Sequence, residues 1–105
     1  YVSLEEYSYS RWPPYVTAGA YILSQRSLKL LYVSSLYTFN FRFDDIFLGM
    51  AAQKAELSLL HSNEFYFSRK PYSIENYKWV IACHEWGDPD ELHSMWTEQL
   101  AHGYA

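Results

Sequence analysis

Cysteine is nearly missing from this chain: Cys83 is the only one in 105 residues. No disulfide can therefore close within it. Two readings of Cys83 stand: a small hydrophobe on a strand, or one half of a bridge to a cysteine elsewhere in an oxidising compartment. Glycine and proline are sparse, at four each. No glycine-rich loop precedes a helical pattern, and no Asp-x-Asp of the kind that anchors the metal of a nucleotide-sugar stands out. Basic residues number eight against twelve acids, a net charge of −4, and the two signs are mixed along the chain. With no basic block, nucleic acid is excluded as a partner. No apolar run reaches 18 residues, so no segment spans a membrane. Internal repeats, low-complexity tracts and linkers are absent. The chain starts at Tyr1 without Met and in mid-pattern, so it is expected to be a piece of a longer protein, and its lack of targeting segments says nothing about the whole.

What the chain has in excess is aromatic side chains, 20% of all residues, with 11 Tyr and 4 Trp. They form either an aromatic core or the wall of a sugar site. A ring face packs on the C–H face of a pyranose, and a Tyr or Trp tip hydrogen-bonds a hydroxyl. The length suits one small domain.

The pattern predicts helices with few strands. Pro13-Pro14 forces an extended path near the start. Ala18 to Leu23 reads as a short strand. Ser24 is placed to cap a helix over Gln25 to Tyr37, with Leu28, Leu31, Tyr32, Ser35 and Leu36 on one face. Residues 38–43 are an aromatic connector. A second helix is expected from about Asp45 to Ala55, with Ile46, Phe47, Met50 and Ala51 on its apolar side. A strand is expected near Phe65-Tyr-Phe67, and another over Tyr77 to Cys83. Asp88-Pro89-Asp90-Glu91 has a cap, a proline at the first position and acids in the first turn, which together start a helix. Leu92, Met95, Trp96 and Leu100 make its core stripe.

Chemistry concentrates in Phe41-Arg-Phe-Asp-Asp-Ile-Phe-Leu-Gly49. Asp44 and Asp45 stand where a helical pattern begins, and a carboxylate there is favoured by free backbone N–H groups and the helix dipole. Capping alone explains an acid at such a place; a general base explains it as well. Upstream runs Trp12-Pro-Pro-Tyr-Val-Thr-Ala-Gly-Ala-Tyr21, and downstream Val80-Ile-Ala-Cys-His84 is followed by Pro89 and Trp96. In this order the three stretches resemble the C-terminal half of the β-1,3-glycosyltransferases of family 31, with the wording of the brainiac-type members. Trp12 replaces the usual first Tyr of that pattern.

The resemblance implies an α/β fold, with residues 1–105 forming the C-terminal, acceptor-side portion of a single GT-A-type catalytic domain. It implies an inverting transfer of N-acetylglucosamine or galactose from a UDP-sugar to the 3-hydroxyl of a glycan on a lipid or protein. Asp45 is implied as the base, and Asp44 as the residue that orients the acceptor or holds Asp45. His84 is implied as a ligand of a divalent cation such as Mn²⁺, the remaining ligands lying upstream. Thr17, Ala18, Gly19 and Tyr21 are expected to line the donor-sugar pocket, or else to be a close-packed strand. Trp12, Tyr15 and Trp86 are expected to stack on sugar, or else to pack over the core. His61, His93 and His102 are expected at the surface. The resemblance also implies a Golgi protein whose lumenal domain is tied to the membrane by an upstream anchor. A non-enzymatic carbohydrate-binding module, or an inactive truncated fragment, are the competing readings. Joint presence of an acid pair and a separate metal-type histidine favours the enzyme, since a lectin needs neither.

Overall fold

Ser24 opens the first helix. Its extended backbone lets the side-chain Oγ accept the Ser27 N–H at 3.1 Å, satisfying an N–H that the helix leaves unpaired. Helix α1 then runs over Gln25–Ser35. The structure, a computed structural model, describes residues 2–17 and 19–104. Five further elements follow α1: α2 (Asp44–Lys54), β1 (Phe65–Tyr66), α3 (Ile74–Tyr77), β2 (Ala82–Cys83) and α4 (Pro89–Ala101). β1 and β2 pair in parallel, with Phe65 opposite Ala82 and Tyr66 opposite Cys83. The result is helix-rich with a little parallel sheet. Among the described residues no helix is long and apolar enough to cross a membrane.

The chain divides into two compact units, Tyr1–Leu60 and His61–Ala105. In the first, α1 packs on α2 through Leu31, Ala51 and Ala52, with Leu48 and Leu57 against them. Burying a leucine such as Leu31 stabilises by about 2 kcal/mol. Ser34 is buried beside this cluster, and its hydroxyl donates to the Ala51 carbonyl at 2.9 Å, linking the two helices. Of the expected stripe Leu31 turns inward as foreseen, joined by Ser34. Leu28, Tyr32 and Leu36 are exposed. α1 also stops at Ser35, two residues short of the expected end, in a run of tight turns made by the N–H groups of Leu36, Tyr37 and Thr38.

The expected strand over 18–23 is absent among the described residues. Ala18 lies outside them, and 19–23 run as turn and coil with Tyr21, Ile22 and Leu23 exposed. Among the described residues no neighbouring strand offers this stretch a ladder, and a lone strand cannot satisfy its backbone. The expected strand over 77–83 shrinks to Ala82–Cys83, because Ser73 caps a short helix that takes Tyr77 instead. The strand near Phe65 is found.

In the second unit Tyr77 is the buried ring. Its hydroxyl donates to the Lys70 carbonyl at 2.6 Å and lies 3.3 Å from Cys83 Sγ. Burial, then the bond to Cys83, push the phenol well above its usual range. Asp88 starts α4 as expected, its Oδ1 accepting from Asp90 N at 2.9 Å. The stripe expected of α4 is corrected. Trp96 is 51% exposed and Leu92 and Leu100 also face outward, while Gln99 is the buried residue, reaching the Ile74 carbonyl.

Candidate functional site

Helix α2 begins without a side-chain cap. Phe43 holds the N-cap position in extended backbone and has no polar group to offer. The capping role that the sequence allows to Asp44 or Asp45 is therefore corrected, since both are already inside the helix, in its first turn. Their carboxylates serve the N–H groups there. Asp44 Oδ1 accepts from Asp45 N at 2.9 Å, and Asp45 Oδ1 accepts from Ile46 N at 2.8 Å. Two acids beside the positive end of the helix are stabilised by the dipole. Asp44 is exposed and Asp45 is half-buried. Asp45 Oδ2 has no hydrogen-bond partner among the described residues.

The proline segment lies directly on this helix. A Cβ at Gly49 would stand 2.7 Å from Tyr15 Cβ and 2.9 Å from the Pro14 carbonyl oxygen. Only glycine permits that approach. Two stretches far apart in sequence are thus in van der Waals contact, one turn beyond the acids. Tyr15 and Thr17 are exposed, and Gly19 is half-buried. Tyr21 is exposed as well. Ala18 lies outside the described residues.

Trp12 packs against Tyr7, ring centroids 4.4 Å apart, and against Phe41 at 5.7 Å. Phe41 in turn meets Phe43 edge-on at 5.7 Å. Sequence reasoning misses Tyr7, Phe41 and Phe43 as members of this ring cluster. The alternation Phe39-x-Phe41-x-Phe43, which in extended backbone sets alternate rings on one side, signals Phe41 and Phe43 alone, and nothing in the sequence joins Tyr7 to them.

His84 and Trp86 belong to the second unit. The N–H of His84 donates to the Tyr66 carbonyl at 3.1 Å, carrying the sheet ladder one residue past β2. Its ring is exposed and stacks on Phe67 at 6.1 Å, nearly parallel. Glu85 follows at φ 66°, a left-handed turn that redirects the chain immediately after the histidine. Such a conformation costs about 1–2 kcal/mol for a residue with a Cβ. Trp86 is half-buried between Tyr72 and Tyr77, with the Arg69 guanidinium 4.4 Å above its ring and paired to Glu91. Its rings and its cation are occupied within this unit, so Trp86 packs rather than standing open. His61 bonds Asn63 at the surface, and His93 and His102 lie on α4 and at its end, as expected. Among the described residues no three of His, Cys, Asp and Glu gather as a metal site. An exposed imidazole with an anchored backbone suits one coordination position of a divalent cation.

The galactosyltransferase family pattern matches residues 1–63. The chain belongs to this family. It is 53% identical, over its whole length, to beta-1,3-galactosyltransferase brn of Drosophila melanogaster, and covers 33% of that protein. It is 34% identical over 85% of its length to beta-1,3-galactosyltransferase bre-5 of Caenorhabditis elegans, covering 28% of it. It is 28% identical over 93% of its length to human beta-1,3-galactosyltransferase 1, covering 30%. The chain thus spans about a third of the length of the curated relatives it matches. No solved structure matches it. The stretch matched by the family pattern contains the whole first unit, with the acid pair and the proline segment. His84 falls outside that stretch but within the alignment to the Drosophila relative.

Proposed function

We propose that the full-length protein is an inverting UDP-sugar-dependent β-1,3-glycosyltransferase, and that this chain is the acceptor-side part of its GT-A-type catalytic domain. The observation that carries this is the close packing of Tyr15 on Gly49, which brings the Pro-Pro-Tyr segment onto the helix bearing Asp44 and Asp45. Two of the family's three recurring stretches thereby build one surface.

In this reading Asp45 takes the proton from the acceptor 3-hydroxyl through its second carboxylate oxygen. The freed oxygen attacks the anomeric carbon from the face opposite the departing UDP, so the β-linkage forms with inversion. Half-burial keeps Asp45 partly desolvated, which suits a general base. Asp44, bonded to the Asp45 N–H, fixes the start of the helix on which the base sits. Thr17, Gly19 and Tyr21, with Ala18, border the donor sugar, while Trp12 and Tyr15 face the acceptor. A divalent cation such as Mn²⁺, when bound, offsets charge on the leaving diphosphate. His84 supplies one of its ligands, and the others come from outside this chain. Because the relatives are named β-1,3-galactosyltransferases, galactose is the first donor to test, with N-acetylglucosamine the second. The acceptor is a glycan of a lipid or protein, and the whole protein works in the Golgi lumen, held by an anchor outside this chain.

The test is an assay of the full-length protein with UDP-galactose and UDP-N-acetylglucosamine against β-mannosides, β-galactosides and β-N-acetylglucosaminides. Transfer in β-1,3 linkage from either donor supports the reading. Absence of transfer from both, in protein that is folded and supplied with Mn²⁺, overturns it.

A further inference from the structure

Five rings in the first unit form an unbroken row that ends at the residue before the acid pair. Tyr9 meets Tyr7 at 5.4 Å, and Tyr7 meets both Trp12 and Phe41, the latter at 5.9 Å. Phe41 meets Phe43, and Phe43 is the N-cap of α2. The inner rings, Tyr7 and Phe41, are half-buried and fix the row. The outer ones are open: Tyr9 is 71% exposed, Trp12 41% and Phe43 44%. A polar fringe accompanies them. The Arg42 guanidinium lies 4.9 Å over the Phe43 ring and 3.6 Å from Glu6 Oε1.

An exposed aromatic row is costly in water unless something covers it. Bare rings suit many apolar partners. Rings edged by a guanidinium and a carboxylate, beside two more carboxylates, suit a ligand that has apolar C–H faces and hydroxyls together. A pyranose is such a ligand: its C–H face stacks on a ring and its hydroxyls bond Arg and Glu.

We propose that the Tyr9–Trp12–Phe43 ledge, with Arg42 and Glu6, is the surface that selects the acceptor glycan, holding the sugar units next to the one that receives the transfer. The inference rests on the function proposed above and deepens it. Phe43 has the central part. It is joined to Asp44 by one peptide bond, so a sugar stacked on it presents its neighbour to the first turn of α2. The row holds enough rings to take more than one sugar residue, so the ledge discriminates an oligosaccharide acceptor from a monosaccharide glycoside.

The experiment uses the full-length protein with Phe43→Leu, Trp12→Leu and Trp12→Phe. With UDP-galactose or UDP-N-acetylglucosamine as donor and disaccharide acceptors, Phe43→Leu and Trp12→Leu are expected to raise acceptor KM about 5- to 10-fold, the range for one lost stacking contact. Donor KM is expected to stay within about twofold, and Trp12→Phe to recover most of the loss. An unchanged acceptor KM overturns the ledge. So does an equal rise in donor KM, or a fall in melting temperature with unchanged acceptor KM, which would mean that the row packs against the rest of the protein. Sugar binding is also read directly, by saturation transfer in NMR to a disaccharide, lactose. That measurement decides the ledge even if no transferase activity is found. Saturation lost in Phe43→Leu and Trp12→Leu supports it, and saturation that is unchanged, or absent from the unaltered protein, refutes it.

Discussion

Tyr15 and Gly49 touch where no other residue than glycine fits at position 49, the imagined Cβ falling 2.7 Å from Tyr15 Cβ and 2.9 Å from the Pro14 carbonyl. Neither obstacle is the loose end of a side chain, so neither can swing aside. Gly49→Ala is expected to destabilise the full-length protein by about 1–3 kcal/mol, the cost of overpacking. Gly87→Ala is the control, because a Cβ there meets nothing within 4 Å. Melting curves of the two variants check this, and equal curves would contradict a contact of that closeness.

Asp45→Asn leaves an oxygen for the Ile46 N–H, so the helix start is expected to survive. The proposed base does not survive. Turnover should fall by roughly 10²-fold or more, with little change in melting temperature. Asp44→Asn should be much milder. A variant at Asp45 with ordinary turnover would return this acid to a helix-terminus role.

His84→Ala is expected to raise the Mn²⁺ concentration needed for half-maximal rate. The ring is exposed and touches Phe67, so stability should change little. Activity titrated with Mn²⁺, alongside a melting curve, separates a ligand from a structural histidine. An unmoved metal midpoint would exclude His84 as a ligand.

Tyr77 gives a pH signature. Its phenol titrates higher when folded than the ordinary value of 10.0, because burial disfavours the charged form. The stabilisation it contributes is therefore complete below pH 10 and is lost as pH rises beyond that. Tyr77→Phe should cost about 1 kcal/mol at pH 7, through the lost bond to the Lys70 carbonyl. Above pH 10 the gap should narrow, since Phe has no proton to lose. Denaturant midpoints of both proteins at pH 7 and at pH 10.5 to 11 test the sign. A gap that widens with pH would contradict it.

Local rules make the capped helices legible. Ser24 and Asp88 both cap where the sequence says, and α2 begins within one residue of the expected start. The strands are less so. A strand over 77–83 follows from its apolar residues, yet Ser73 diverts Tyr77 into a helical turn, a competition that periodicity does not register. Which face of α1 and α4 turns inward is also partly hidden. Leu31 turns inward as its place in the stripe foretells, but Ser34 and Gln99 do so as well, their donors reaching backbone carbonyls elsewhere in the chain, and no hydrophobic stripe announces that. The acid pair and the histidine stand out as candidates from sequence alone. The ring row does not, because Tyr7 and Trp12 join Phe41 only once the chain has folded back.

Among the described residues, Asp45 is bound by one oxygen and open at the other. A carboxylate free to spin would accept a proton from any hydroxyl brought near it. Here the Ile46 N–H donates to one oxygen, which restrains the group and leaves the second oxygen as the open acceptor. A sugar ring carries several hydroxyls of nearly equal acidity, and chemistry alone cannot tell them apart. Under the function proposed above, a base with a restrained bearing can, and the choice of hydroxyl then traces back to a backbone N–H at the first turn of a helix.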